Sequence, residues 1–237
     1  MQTALSTFLT QLEANGPLRG RDRDGILALP SQIQTFQSET QVVRQGDREG
    51  DFLVLVEGLA TRQKLTGDGA RQLMSLHILG DALNPSSLFL PYADCDIVAL
   101  RNAKIAIIPR TPILDLLTSS PSIMQAFCRL ALVDAAIGRE ALLRLGRRDA
   151  KARVAHFISE YLARMQARGV MFEGAFVFPL TQEQLGDAVG LTSIHVNRTY
   201  NKLVSEGLII QKGRSFEIPD IGALRIAGDF KDQYLFL

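Results

Sequence analysis

The sequence predicts an α+β protein in which an antiparallel β roll, of the double-stranded jelly-roll type, precedes a long helix and a small C-terminal domain. Three observations lead to this fold class. Glycines 46, 58, 69 and 80 separate short apolar runs at intervals of 12, 11 and 11 residues, which is typical of strands joined by tight turns. After Pro121 the apolar residues recur at helical spacing, and two capped helical stretches and a hairpin pattern follow near the C-terminus. The 237 residues therefore divide into a β-roll domain at 1–120, a long helix at 121–146 and a C-terminal domain at 147–237.

The β roll is expected to contain about eight strands between residues 36 and 110. Runs such as FLVLVEG and CDIVALRNAKIAIIPR carry the β-branched and apolar residues that strands favour. Asp68-Gly69 is a hairpin signal between two of these runs.

The long helix carries two adjacent apolar stripes that step by three and four residues. One stripe runs from Ile123 to Arg144 and the other from Met124 to Leu145. Two stripes are typical of a helix that packs on its own β roll with one face and on a second helix with the other. The alternative interpretation is a helix that is buried wholly within its own domain. We interpret it as a dimerisation helix whose contact residues are Ile123, Phe127, Leu130, Ala131, Asp134, Ile137, Gly138 and Ala141.

The helical pattern is interrupted at Gly146–Asp149, which we interpret as a hinge. Asp149 is placed to cap a further helix from 150 to about 168, whose buried face would be Val154, Phe157, Ile158 and Leu162. A turn at Arg168-Gly169 and an apolar extended segment at 170–180 follow.

Two short helices then predict a helix-turn-helix. Thr181 and Gln184 form a capping box, Gly190 makes the turn, and Thr192 caps a second helix that ends at Gly207. The segment LIIQKGRSFEI after it reads as a β wing with its tip at 212–214. The alternative is a helical hairpin used only for packing.

The second helix has an apolar face and a polar face. Val196, Tyr200, Leu203 and Val204 form the apolar face, while the first turns on the other side carry only small or polar residues and Ile194. This composition predicts insertion into the DNA major groove, where Arg198 can donate a bidentate pair of hydrogen bonds to guanine. The predicted DNA-binding residues are Thr181, Gln182, Thr192, Ser193, Ile194, His195, Asn197, Arg198, Asn201, Lys212 and Arg214.

Composition excludes several other classes of protein. The net charge is +1, so the partner is not indicated by bulk charge, and no apolar run is long enough to span a membrane. Cys95 and Cys128 lie far apart without a metal-ligand spacing, so no metal site is predicted, and the N-terminus lacks a leader pattern, which favours the cytoplasm. The carboxylate pairs Asp94/Asp96 and Glu49/Asp51 have no catalytic partners in the sequence, so we do not expect an enzyme.

The order of these elements resembles the Crp/Fnr superfamily of bacterial transcription regulators over nearly the whole chain. The residues that carry the resemblance are Gly46-Asp47, Gly58, Gly80-Asp81, Val98–Leu100, Ile108–Arg110 and the segment from Leu180 to Ile209. The resemblance implies an allosteric homodimer that presents two recognition helices to a pseudopalindromic operator in double-stranded DNA. It also implies RNA polymerase as a partner if the protein is an activator.

The region that holds a cyclic nucleotide in that family departs from its pattern here. The family's pocket uses a glutamate and an Arg-Ser pair, and the matching positions in this chain are Pro85 and Asp94-Cys95. A phosphate would meet a carboxylate, so cyclic AMP is not the expected effector. The residues of this degenerate pocket are Gly80, Asp81, Leu83, Pro85, Ser86, Asp94 and Cys95.

Other effectors leave an alternative open, in which haem or a small molecule in the β roll switches DNA binding. No cysteine precedes Cys95, so the iron–sulfur cluster of the oxygen-sensing branch is not expected. His77 or His156 could in principle ligate haem, although a histidine satisfied by its neighbours is the simpler interpretation. No cofactor is therefore predicted.

Overall fold

The computed structural model describes residues 5–48, 50–170, 177–212 and 215–237. Two compact units form, Met1–Asp134 and Ala135–Leu237. Mixed helix and sheet in the predicted order confirm the α+β fold class. Within the described part of the chain, no single helix is long and apolar enough to cross a membrane; one pair of helices meets that test only when joined across a 112° bend.

The first unit contains two antiparallel sheets that form the β roll. One sheet has the strand order β1-β7-β3 and the other β2-β6-β4-β5. Their bounds are β1 Gln32–Phe36, β2 Thr40–Val43, β3 Phe52–Glu57, β4 Ala60–Leu65, β5 Arg71–His77, β6 Asp96–Ala99 and β7 Ala103–Ile108. The described residues thus contribute seven strands to the roll, together with isolated bridges at Arg48–Tyr92 and Val54–Ala82.

The predicted turn glycines all have positive φ, and two of them also permit a close backbone approach. A Cβ on Gly58 would lie 2.2 Å from the carbonyl oxygen of Asn102, and one on Gly80 would lie 2.7 Å from that of Thr7. Gly69 turns the β4–β5 hairpin at φ +86°. The glycine spacing therefore predicted the turns of the roll correctly, because glycine adopts positive φ without the strain that a side chain adds.

The helices of the first unit close one face of the roll. They are α1 Ser6–Ala14, α2 Gly20–Leu27, α3 Arg110–Ser119 and a 3-10 helix at Pro85–Leu88. Phe8, Phe52 and Phe127 meet at ring distances of 5.5 to 6.1 Å in the centre of this core. Phe127 belongs to the long helix α4, Pro121–Arg147, so the first half of α4 is part of the core of the roll.

This packing corrects part of the predicted dimer surface. Ile123, Phe127 and Leu130 are only 1 to 6% exposed in the core of their own unit, so their assignment as contacts with a second chain is wrong. Asp134 forms an ion pair with Arg62 of the roll at 2.6 Å. The helical spacing showed two apolar stripes but did not show which of them faces the roll.

The second unit begins with the end of α4 and contains α5 Ala150–Ala167, α6 Gln182–Val189, α7 Ser193–Ser205 and α8 Ile221–Ala227. Strands β8 Ile210–Lys212 and β9 Ser215–Glu217 form a hairpin, and a 3-10 helix at Asp232–Leu235 follows α8. All four predicted core residues of α5 are buried. Most of the predicted extended segment 170–180 falls on residues 171–176, outside the described residues.

The break between α4 and α5 lies two residues later than the sequence suggested. Gly146 is helical and belongs to the last turn of α4, and the chain leaves helical geometry only at Arg148 and Asp149. Asp149 caps α5 as predicted, since its Oδ1 accepts a hydrogen bond from the Ala152 amide at 2.8 Å. Glycine lowers helix propensity without ending a helix, which is why it misplaced the break.

Candidate nucleic-acid interface

The turn between α6 and α7 has the geometry of a helix-turn-helix. Thr181 and Gln184 form a reciprocal capping box at the start of α6. Gly190 ends α6 in the left-handed conformation at φ +65°. Thr192 then caps α7 by accepting a hydrogen bond from the His195 amide at 3.3 Å. The predicted caps therefore fix both ends of the turn that carries α7.

Helix α7 is buried on one side and exposed on the other. Val196 and Leu203 are fully buried, Tyr200 and Val204 are partly buried, and Thr199 completes this face at 8% exposure. Thr199 was not predicted on this face, although its position three residues after Val196 places it on the same stripe. Every residue predicted to face DNA on this helix is exposed: Ser193, Ile194, His195, Asn197, Arg198 and Asn201.

Three amides on the exposed side form a chain of hydrogen bonds. Asn201 Nδ2 donates to Asn197 Oδ1 at 3.2 Å, and Asn197 Nδ2 donates to Gln182 Oε1 at 3.4 Å. The chain joins the start of α6 to the middle of α7. It holds the Asn197 amide in one orientation, and a group that is already oriented loses less entropy when it binds a ligand.

Arg198 stands beside this chain without an ion-pair partner among the described residues. Ile194 is 66% exposed one turn earlier. An exposed guanidinium and an exposed aliphatic group on one helix face are suited to guanine and to a thymine methyl, respectively. The same face therefore offers both polar and apolar contacts to base edges.

The wing supplies one further cation within the described residues. Lys212 is exposed and pairs with Glu217 across the β8–β9 hairpin at 2.6 Å. Arg214, also predicted to bind DNA, lies outside the described residues.

The predicted effector pocket is lined by groups that the protein already uses. Asp81 is buried, and it accepts hydrogen bonds from the Ile78 amide and the Gln11 side chain at 3.0 and 3.1 Å. Leu83 lies in the core of the roll. Pro85 and Ser86 begin the 3-10 helix that follows Gly80 and Asp81. Asp81 therefore stabilises the turn at residues 78–81, directly after β5.

The positions that replace the family's Arg-Ser pair carry no cation. Asp94 is exposed and Cys95 is buried. Burial, with a smaller contribution from Asp94, raises the pKa of the Cys95 thiol to about 12, so it stays protonated at neutral pH. The nearby guanidinium of Arg62 donates to the Leu83 carbonyl at 2.8 Å and to Asp134. The charge of Arg62 is thus already paired with the carboxylate of Asp134 in the same chain.

The two buried histidines have partners within the protein. His77 Nε2 lies 2.8 Å from Ser75 Oγ and its Nδ1 lies 3.7 Å from Asp81 Oδ2. His156 Nδ1 lies 3.4 Å from Arg144 Nη1, and its ring stacks on Tyr234. Burial lowers the pKa of both histidines. Among the described residues, no group of three or more metal-ligating side chains is present.

Two family models match the chain over the regions just described. The cyclic nucleotide-binding domain matches residues 33–120, and the Crp-like helix-turn-helix domain matches residues 152–226. The chain belongs to the Crp/Fnr family.

Among Crp/Fnr regulators, the transcriptional activator protein FnrL of Cereibacter sphaeroides is 28% identical over 206 residues, covering 84% of this chain and 82% of the relative. The nitrogen fixation regulation protein FixK of Bradyrhizobium diazoefficiens is 27% identical over 177 residues, covering 73% and 72%. The structure of FixK2 from Bradyrhizobium japonicum superposes with a TM-score of 0.74 at 20% identity, covering 84% of this chain and 98% of that one. The c-di-GMP responsive regulator CLP of Xanthomonas campestris gives 0.67 at 17% identity, covering 84% and 99%.

Sequence reasoning missed the residues that connect the Crp/Fnr helix-turn-helix to the end of α4. Arg153 donates through Nε to the Arg148 carbonyl at 2.8 Å and through Nη1 to the Val189 carbonyl at 3.4 Å. Arg148 itself pairs with Glu140 and Asp229. No local pattern could have identified these residues, because their partners are up to 81 positions away in the chain.

Proposed function

We propose that this Crp/Fnr regulator binds a pseudopalindromic operator as a homodimer and activates transcription by contacting RNA polymerase in the cytoplasm, without enzymatic activity. The observation that carries the proposal is the division of α7 into a buried apolar face and an exposed face on which Arg198 is unpaired among the described residues. Activation is supported by relatives such as FnrL, whose name describes a transcriptional activator.

In this proposal the N-terminal half of α7 enters the major groove. Arg198 contacts a guanine, Asn197 a neighbouring base edge and Ile194 a thymine methyl. Thr181, Gln182, Ser193 and His195 lie at the helix starts, where they are suited to phosphates or base edges, and Lys212 reaches the backbone from the wing. Arg214 is proposed for the same role at the tip of the wing.

The homodimer is supported by an exposed apolar stripe on α4. Leu132 and Leu142 are 66 and 71% exposed. Cys128, Ala131, Ala135 and Gly138 are also exposed and lie on the same side of the helix. The small side chains permit a second helix to approach closely. Ala131 and Gly138 thus remain proposed contacts, together with these exposed residues, in place of Ile123, Phe127 and Leu130.

In this proposal residues 1–120 sense an effector or serve as a scaffold. Residues 121–146 form the dimer contact, and residues 147–237 bind DNA. Gly146 and Asp149 border the junction through which the β roll would act on DNA binding. The alternative, in which haem or a small molecule switches the protein, is not favoured by the site, because both buried histidines and Arg62 contact protein groups.

The test starts from an operator selected from a randomised duplex library by the full chain. Fluorescence anisotropy with that duplex and sedimentation velocity of the complex should give two chains per operator and an affinity that falls steeply with salt. The homodimer would be contradicted if one chain bound each operator and the second half-site did not increase the affinity. Recovery of no preferred sequence would contradict base readout.

The same preparation tests the effector pocket. We expect that a large excess of cyclic AMP changes neither the thermal midpoint nor the operator affinity, because Asp94 and the neutral Cys95 thiol offer a phosphate no cation. A saturable rise of the midpoint with cyclic AMP would contradict this assignment.

A further inference from the structure

The segment that follows α8 contacts both helices of the α4–α5 junction. This segment, Gly228–Leu235, begins after the last residue that the Crp-like helix-turn-helix model matches. Phe230 and Leu235 are 7 and 4% exposed, and they form a cluster with Ala163 of α5 and Ile137 of α4. The end of the described chain is therefore anchored on both sides of the junction, and we call it the C-terminal clamp.

Arg148 connects the clamp to the junction. It is one of the two residues between the helices, and its side chain is only 8% exposed. Its Nη2 lies 2.7 Å from Glu140 Oε1 on α4 and donates to both the carbonyl and the carboxylate of Asp229 at 3.1 Å. One guanidinium thus joins the end of α4 to the start of the clamp.

A second set of polar contacts joins the clamp to Glu160 of α5 and to Arg144 of α4. Tyr234 donates its hydroxyl to Glu160 Oε2 of α5 at 2.7 Å, and Arg144 of α4 donates to the same oxygen at 3.3 Å. Burial and the Glu160 carboxylate raise the pKa of Tyr234, so its hydroxyl keeps the donated proton at neutral pH. Glu160 therefore bridges the clamp and α4 from α5.

The backbone of the clamp fits closely against α5. A Cβ on Gly228 would lie 2.5 Å from the His156 amide nitrogen, so only glycine permits this approach. The next residue, Asp229, has φ +47°, a conformation that turns the chain back toward Arg148. Such backbone strain persists where the surrounding structure requires it.

The junction is also connected to the DNA-binding face. Arg153 joins the carbonyl of Arg148 to that of Val189, the last residue of α6. Gly190 and the capped start of α7 follow directly. A change in the junction therefore reaches the turn that positions the recognition helix through two hydrogen bonds.

We propose that the C-terminal clamp is a positioning element for DNA binding, which holds α5 against the end of α4 through Arg148 and through the Tyr234–Glu160–Arg144 contacts. The inference rests on the proposed homodimer, because the position of α5 relative to the dimerisation helix then sets the separation of the two recognition helices. A two-residue connection alone leaves that position undetermined, and the clamp selects one arrangement. Arg148 and Tyr234 are positioning residues that do not themselves touch DNA.

The test compares two duplexes by fluorescence anisotropy: the selected operator, and the same duplex with one half-site scrambled. Arg148→Gln and Tyr234→Phe should each weaken binding to the full operator by about tenfold, a typical size for coupling between sites. Binding to the single half-site should stay within about twofold of the wild type. Lengthening or shortening the spacer by one base pair should restore part of the lost affinity, because a released junction tolerates other separations.

Controls separate positioning from general damage. Arg23→Gln removes an exposed ion pair with Glu13 in the first unit and should bind both duplexes like the wild type. Tyr234→Phe removes a single oxygen, so it remains informative if Arg148→Gln does not fold. Equal losses of affinity for both duplexes, or no loss for either, would overturn the proposed role of the clamp. If the wild-type chain bound the full operator no more tightly than the single half-site, the proposed homodimer would be wrong, and the clamp proposal with it.

Discussion

Arg198 is the residue whose replacement should change sequence preference most directly. Arg198→Ala is expected to cost about 1 to 3 kcal/mol of operator affinity and to relax the preference at one base pair. Arg198→Lys is the matched control, since it keeps the charge but loses the planar pair of donors. It should retain binding to unrelated DNA while losing the same base preference. Unchanged preference in the alanine variant, measured by repeating the library selection, would remove Arg198 from base readout.

His156 makes the stability of the second unit depend on pH. Burial, together with Arg144 and Arg148, lowers its pKa to about 3, so the folded chain leaves it neutral where the unfolded chain protonates it. The stability is therefore fully present above a pH of about 6.5, and it falls as the pH decreases toward about 3, by up to about 1.4 kcal/mol per pH unit. His77 lies in the first unit, and it makes the stability of that unit depend on pH in the same direction, because burial also lowers its pKa.

The measurement is the urea midpoint, followed by circular dichroism, between about pH 7 and about pH 4.5. His156→Asn should lower the midpoint at neutral pH but flatten its dependence on pH. His77→Asn is the companion variant, and it should remove the part of the pH dependence that His77 contributes. A wild-type slope retained in His156→Asn would show that folding does not lower the pKa of this histidine.

At the scale of single elements, the cap of α7 links stability to recognition. Thr192→Ala removes the hydrogen bond to the His195 amide and should cost about 1 kcal/mol of stability. The first turn, which carries Ser193 and Ile194, should fray, so operator affinity should fall as well. Thr192→Ser keeps the cap and should match the wild type in thermal melting and in anisotropy. An alanine variant with unchanged stability would show that the cap contributes nothing.

The elements were predictable from the sequence where local chemistry decides them. Glycines at positive φ, the Thr181 capping box and the Thr192 cap each act within a few residues of themselves, and the turns and helix starts lie where they were expected. The break at Arg148 was misplaced by two residues because Gly146 is tolerated inside α4. The buried face of α4 and the contacts of Arg62 and Arg148 depend on residues distant in sequence, which periodicity alone cannot identify.

At the scale of the whole molecule, the exposed stripe of α4 should determine whether two chains associate. Leu142→Glu places a charge on a side chain that is 71% exposed in the single chain, so it should barely alter folding, yet a charge buried between two helices is strongly unfavourable. We expect dimerisation to weaken by about tenfold or more, with a matching loss of operator affinity. Leu65→Glu, at a side chain 55% exposed on strand β4, is the matched control and should leave both unchanged. Sedimentation velocity over a range of concentrations distinguishes the two variants, and a Leu142→Glu chain that dimerises like the wild type would place the contact on another surface.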